Sequence, residues 1–251
     1  LHPFGVEIAG IDVAAAAPQA VAELGALVSR NRVGVIRDQH VDDAAFVAFL
    51  RALGELTFTP GETPVAGAPD LNLISNVGRA TPPRSVFHTD TSYVARPPAF
   101  TALRAVRLPR AGGTTIFSDQ VRAARSLPAR FRAALSGRTV RHGLTAAGAS
   151  DAQRHPLFRR HPVTGEVALF LSTPERCSEL SGVDSATSAR AIAALYRHSI
   201  RPAHLYRHSW RAGDILIWDD RVTMHRADHT DVDGDRVLHR GLVLGEVPIP
   251  A

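Results

Sequence analysis

The sequence contains no lysine: all 29 basic residues are arginine. That absence excludes Schiff-base catalysis and the phosphate-gripping lysine of a nucleotide loop, because both need a primary amine. The single cysteine, Cys177, excludes an internal disulfide framework, a zinc site built on several thiolates and an iron–sulfur cluster held by this chain alone. Burial as a small apolar residue is its expected role. No apolar run reaches membrane-spanning length and no segment has the pattern of a signal peptide, so a soluble, cytoplasmic protein with no membrane partner is expected. The arginines are scattered and form no stripe with aromatic residues, so the net charge of +5 points to small acidic molecules and not to nucleic acid.

With 45% hydrophobic residues in 251 positions, the chain can bury a large core, and one domain over 1–251 is expected. The spacing of Val21, Leu24, Leu27 and Val28 predicts an amphipathic helix from about Pro18 to Asn31, followed by a buried strand at 33–37. Asp42 or Asp43 can cap a second helix carrying Phe46, Phe49, Leu50 and Leu53, with Gly54 placed to end it. Further strands are expected at 99–106, 113–118, 166–171, 214–218 and 236–244, with helices beginning at Asp119 and running from about Ser185 to His198. The pattern is mainly β with helical decorations, arranged as an antiparallel sandwich or barrel. Residues 57–86, rich in Pro, Gly and Thr around the strand-like Leu71–Ser75, read as a lid loop.

His88 and Asp90 stand two apart, and His225 closes the run that begins at Ile217. Side chains at i and i+2 of an extended segment share a face, so one short stretch can supply two metal ligands while His225 comes from a distant strand. Two imidazoles and a carboxylate on one face of an octahedral ferrous ion leave three positions open. The same donors also suit zinc in a hydrolase, or a metal-binding barrel without turnover. His142, His155, His161, His198, His204, His208 and His229 read as structural or surface groups, and His239 should face away from Arg240 on its strand.

The order of His88-Thr89-Asp90, Gly112-Gly113-Thr114-Thr115, Trp218-Asp219-Asp220-Arg221, His225 and His239-Arg240 resembles the taurine dioxygenase family over residues 33–247. The resemblance implies a double-stranded β-helix (a cupin-like jelly roll), with Fe(II) on His88, Asp90 and His225 and with 2-oxoglutarate and O2 as cosubstrates. It places Arg240 and Thr115 on the distal carboxylate of 2-oxoglutarate, with Arg236 as an auxiliary. The implied reaction hydroxylates an aliphatic C–H bond of a small anionic substrate, releases succinate and CO2, and in some cases leads to C–S, C–O or C–N cleavage. Tailoring of an amino-acid-like intermediate by hydroxylation or desaturation is the alternative. Arg84, Tyr93 and Phe170 are candidate substrate residues, and a homodimer or homotetramer is the expected assembly. The chain departs from the family pattern at Asp220, where asparagine is usual, a change that removes two hydrogen-bond donors.

Overall fold

The computed structural model describes residues 1–79, 85–144 and 152–251. The larger of its two main sheets runs in the order Val6–Ile8, Val33–Ile36, Ile215–Asp219, Pro98–Arg107, Val237–Leu244, Ala68–Ser75, Pro64–Val65, with Leu56–Thr57 also paired to Val237–Leu244. Its pairings are antiparallel except for the short parallel contact of Val6–Ile8 with Val33–Ile36. The smaller sheet places Thr115–Asp119 between Leu205–His208 and Thr223–Ala227.

Period-two alternation sorts the strand residues into layers. Val33, Val35, Leu103, Leu216, Trp218 and Leu238 of the large sheet meet Phe117 and Tyr206 of the small one in an inter-sheet core. Ile215 and Ile217 point the other way, into a core shared with helices α1 (Pro18–Asn31) and α2 (Asp43–Leu53). Helices α3 (Gln120–Ser126), α4 (Ala129–Leu135) and α5 (Ser185–Ser199) follow later in the chain. Ile116 and Met224 cover the outer side of the small sheet together with residues of α3 and α5. This is the jelly roll with outer helices that the sequence predicts.

The first helices match their sequence signals. Pro18 occupies the first turn of α1, where its missing N–H costs nothing. Asp42 caps α2 by accepting from Ala45 N at 2.8 Å, and Gly54 follows its last residue. Gly241 lets α2 approach the large sheet, because a Cβ there would stand 2.1 Å from Leu50 Cδ1. The proposed lid is partly sheet: Pro64–Val65 and Ala68–Ser75 pair with each other, and Leu56–Thr57 joins Val237–Leu244. Residues 80–84 of that segment, including Arg84, lie outside the described residues. Helix α4, which buries no residue, and the short strands Thr139–His142, Gln153–Pro156 and Phe158–Arg160 are additions to the expected elements. Among the described residues, no helix is long and apolar enough to cross a membrane.

The chain crosses from the large to the small sheet between Asp219 and Thr223, and the Asp219 carboxylate organises the crossing. It accepts from Arg221 Nε at 2.8 Å and Arg221 Nη2 at 2.5 Å, from Ser29 Oγ at 2.9 Å, and from His161 Nε2 at 2.9 Å. His161 must donate through Nε2, because its Nδ1 accepts from the backbone of Val163 and Thr164. Burial opposes the charge on Asp219, but Arg221 and His161 hold the carboxylate far below its usual range. Replacing one member of such a buried pair strands the other charge, so Asp219→Asn is expected to lower stability by about 3–5 kcal/mol. Urea unfolding checks this, and a loss under about 1 kcal/mol would show that the network does not hold the crossing.

Candidate metal centre

His88 and His225 are brought together by the backbone. His88 N donates to His225 O at 3.0 Å and His225 N to His88 O at 2.9 Å, so His88 adds a one-residue bridge to the edge of the small sheet. Directly opposed residues in an antiparallel pair send their side chains to the same face. The two imidazole centroids stand 4.4 Å apart. Val86 O, which can only accept, lies 2.9 Å from His88 Nδ1, so that nitrogen donates and Nε2 carries the free lone pair. His225 is held between Phe117, its cross-strand partner, and Trp218 on the facing sheet, with ring centroids 6.2 and 4.5 Å away. Burial, reinforced by His88, pushes His225 down to about 3, so it is neutral and able to ligate near pH 7.

Asp90 does not share a strand with His88. Thr91 has a φ of +37°, and the chain turns immediately after the bridge. Thr89 faces away from the metal ligands and donates to Leu171 O at 2.8 Å, while Asp90 swings to within 3.4 Å of His88 Nε2 and 3.9 Å of His225 Nε2. One donor atom from each of His88, Asp90 and His225 falls within 4.8 Å of the others, a spacing that a single ion can bridge. Burial disfavours the Asp90 anion, but the Arg240 guanidinium keeps it ionised, well below the usual carboxylate range. Two imidazoles and a carboxylate on one side fit a ferrous ion with its other face open.

Behind Asp90, Thr101 links it to the unusual Asp220. Thr101 Oγ1 is 3.1 Å from Asp90 Oδ2 and in short contact with Asp220 Oδ2, while Trp218 Nε1 donates to Asp220 Oδ1 at 3.0 Å. A threonine has one proton and cannot donate to two carboxylates at once. Burial and the nearby Asp90 anion push Asp220 well above the usual carboxylate range, so Asp220 is the acid. Asp220 then donates to Thr101, and Thr101 donates to Asp90. Protonation restores one of the donors that replacing asparagine removed.

The two arginines of the Val237–Leu244 region have different surroundings. Arg236 donates through Nε to Gly113 O at 3.0 Å and through Nη2 to Thr115 Oγ1 at 3.3 Å. Gly112 and Gly113, at φ of +72° and +76°, make the turn that brings this carbonyl in. Trp210 Nε1 also donates to Thr115 Oγ1, at 3.1 Å, so the threonine proton is left for a further acceptor. No carboxylate among the described residues neutralises Arg236, and burial alone pushes it down to about 10. Arg240 instead donates to Asp90 Oδ1 at 3.3 Å, Thr59 Oγ1 at 2.9 Å and Glu62 Oε2 at 2.6 Å. Four residues of strand span about 13 Å. Of the two, Arg236 is therefore the arginine that stands beside Thr115, and Arg240 the one beside Asp90.

Tyr93 is buried within the electrostatic reach of Glu62, Asp90 and Arg240, beside the centre. Phe170 is packed with His142, His155 and Arg159 in a separate cluster. Of the histidines read as structural, His142, His155, His161, His198, His204 and His208 are buried. His239 faces away from the metal ligands, with Nδ1 2.6 Å from Asp43 Oδ1. Thr59, Glu62, Thr101 and Trp210 carried no motif and were missed; Trp218 and Asp220 stood inside a motif but had no assigned contact.

A jelly roll that presents two histidines and a carboxylate on one side of a metal position, near a buried arginine with no counter-anion among the described residues, has the make-up of a non-haem iron oxygenase with an acidic cosubstrate. Residues 1–242 match the family described as taurine catabolism dioxygenase TauD, TfdA family. A crystal structure of a taurine dioxygenase from Burkholderia xenovorans superposes with a TM-score of 0.87 at 33% identity, covering 98% of this chain and 89% of that one. The 2,4-dichlorophenoxyacetate dioxygenase of Burkholderia sp. (strain RASC) is 28% identical over 278 residues, covering 98% of this chain and 93% of its own. The sulfate ester dioxygenase of Pseudomonas putida is 29% identical over 276 residues, with 99% and 90% covered. This chain belongs to the TauD, TfdA family and is a dioxygenase that uses Fe(II), 2-oxoglutarate and O2.

Asp220→Asn tests the protonated carboxyl. The folded chain keeps a proton that the unfolded chain releases above about pH 4, so Asp220 costs stability increasingly as pH rises beyond that value. Asp220→Asn is expected to raise Tm at pH 8 and to change it little at pH 4, whereas Asp220→Leu should weaken Fe(II) binding about 10–100-fold. A lower Tm for Asp220→Asn at pH 8 would count against the acid form.

Proposed function

We propose that this dioxygenase hydroxylates an aliphatic C–H bond of a small anionic substrate, with succinate and CO2 as coproducts. Where the oxidised carbon bears sulfur, oxygen or nitrogen, the hydroxylated product would break that bond. The observation that carries the reading is the buried Arg236 guanidinium, uncompensated by any described carboxylate and set beside a threonine hydroxyl with a proton to give. A buried cation without a partner is costly, and a planar guanidinium suits a carboxylate that can accept two hydrogen bonds.

In this reading, Arg236 and Thr115 hold the distal carboxylate of 2-oxoglutarate, and His88, Asp90 and His225 hold the iron. When bound, iron and 2-oxoglutarate supply O2 activation, with the cosubstrate's oxidative decarboxylation providing two electrons. Val86 fixes the tautomer of His88, Phe117 and Trp218 fix the ring of His225, and Thr101 fixes Asp90, so the ligands are set before the metal arrives. In the same reading, Arg240 and Tyr93, both close to Asp90, are on the substrate side. The two curated relatives support an anionic substrate, since one is named for a phenoxyacetate and the other for a sulfate ester.

The test is an anaerobic titration with Fe(II) and 2-oxoglutarate, following the visible charge-transfer band of the chelate. Arg236→Ala is expected to weaken 2-oxoglutarate binding about 30–150-fold, equivalent to about 2–3 kcal/mol for a charge-assisted pair. Arg240→Ala should leave it within about threefold, a difference of about 0.6 kcal/mol. Succinate yield across sulfonates, alkyl sulfates, aryloxyalkanoates and amino acids then ranks substrates. No band in folded wild-type protein would defeat the reading, and the reverse order of the two variants would return the carboxylate to Arg240.

A further inference from the structure

Helix α4 buries none of its residues, and its Phe131 is 50% exposed. Phe131 and Leu135 of this helix, with Leu127 before it and Ala194 and Leu195 of α5, line a groove of about 450 Å3. The polar lining is grouped: Ser126 Oγ is 3.0 Å from His198 Nε2, and Arg201 N donates to His198 O at 3.4 Å. A concave, mostly apolar cavity of this size with a few polar side chains drawn together has the make-up of a small-molecule site. It shares no residue with the metal centre.

The charge around the groove is of one sign. Residues 125–138 and 185–201, which supply its walls, contain seven arginines and no aspartate or glutamate. Arg125 is paired with Glu166, and Arg138 donates to the carbonyls of Ala134 and Ser181. Arg130, Arg132, Arg190, Arg197 and Arg201 have no carboxylate partner among the described residues, whereas Arg37, Arg51, Arg104, Arg107, Arg110 and Arg154 each have one. A high arginine content therefore does not explain the imbalance. The local field calls for an anion and the groove for an apolar body attached to it. A second copy meeting this face with the same face would set unpaired arginines against one another. A helix from a partner protein needs a longer trough, since the seven residues of α4 span only about 10 Å.

We propose that the groove binds a fatty-acid-like amphiphile, a monoanion on a medium-length alkyl chain, with its head group at Arg201 and its chain along Leu127, Phe131, Leu135 and Leu195. Ala191 and His198, which both line the groove, are about 10 Å apart along the α5 axis, and this sets the length of chain covered. Guanidinium suits a carboxylate or sulfate head, and an alkyl chain removes Phe131 and its neighbours from water. The competing account is that Arg197 and Arg201 only offset the negative end of the α5 dipole.

The experiment titrates decanoate, below its micelle concentration, into the anaerobic Fe(II) and 2-oxoglutarate complex by calorimetry. Decyltrimethylammonium serves as the same chain with the opposite charge, and hexanoate as the shorter chain. Decanoate is expected to bind at least about 10-fold tighter than either. Ala194→Trp, at an exposed helix position, should fill the groove and weaken decanoate at least about 30-fold, and Arg201→Glu should weaken it about 10-fold. Both variants should keep the chelate band, which reports a folded protein and an intact metal centre. No binding to the wild type, or affinity within about threefold of wild type in either variant, overturns the proposal. A lower Tm for Arg201→Glu with decanoate affinity unchanged would establish the dipole account. Binding to phosphatidylglycerol vesicles without binding of monomeric decanoate would overturn it in favour of a membrane surface. Dissociation of a wild-type oligomer by Ala194→Trp, seen in sedimentation, would overturn it in favour of a subunit interface.

Discussion

The buried Asp219 carboxylate governs the geometry of the metal centre. The crossing it holds is too short to leave slack, so the last inward residue of one strand, Trp218, and the inward residue of the next, His225, are set face to face across the barrel. His225 then fixes His88 through two backbone hydrogen bonds, and Asp90 follows after the turn at Thr91. Ligands 137 residues apart in sequence are thus placed by one ionic cluster and one β-bridge. Asp219, Trp218, His225 and Asp90 are buried, so solvent weakens their contacts less than it weakens a surface ion pair.

Charge is partitioned as closely as position. Asp90, Asp219 and Asp220 are all buried, yet two are ionised and one is not. Asp219 faces Arg221 directly and Asp90 faces Arg240, whereas Asp220 meets only a hydroxyl and an indole N–H, with another anion nearby. The same contrast separates Arg236 from Arg240. They share a strand face, but about 13 Å of backbone lies between them, so one reaches the glycine turn and the other the metal carboxylate. Residue type alone did not distinguish these roles.

Much of this arrangement was legible in the sequence, and the limits of that reading have physical causes. Helices α1 and α2 carry periodicity and caps, so local signals placed them closely. The metal triad was named because the chemistry needs those donors and the family order supplies them. Helix α4 escaped because it buries nothing and so has no apolar stripe to detect. Family spacing says which arginines are present, not which one faces Thr115, where the fold puts Arg236.

The open hydrogen-bonding capacity of this barrel also bears on selectivity. Arg236 holds a buried charge with no carboxylate partner among the described residues, and Asn72 and Arg240 Nε hold buried polar atoms without hydrogen-bond partners. Each lowers the stability of the empty protein, and each is satisfied only by a ligand that presents the matching group. A ligand held at a hundred times its dissociation constant adds about 2.7 kcal/mol to folding stability. A molecule of the same shape without the distal carboxylate would leave Arg236 as exposed to penalty as before, and its apolar contacts would have to offset that cost. Sites built to hydrogen-bond a polar group reject analogues lacking it more strongly than apolar pockets reject an extra methylene. The destabilising groups in the apoprotein and the groups that discriminate between ligands are therefore the same, and replacing them by apolar residues would gain stability at the expense of selectivity.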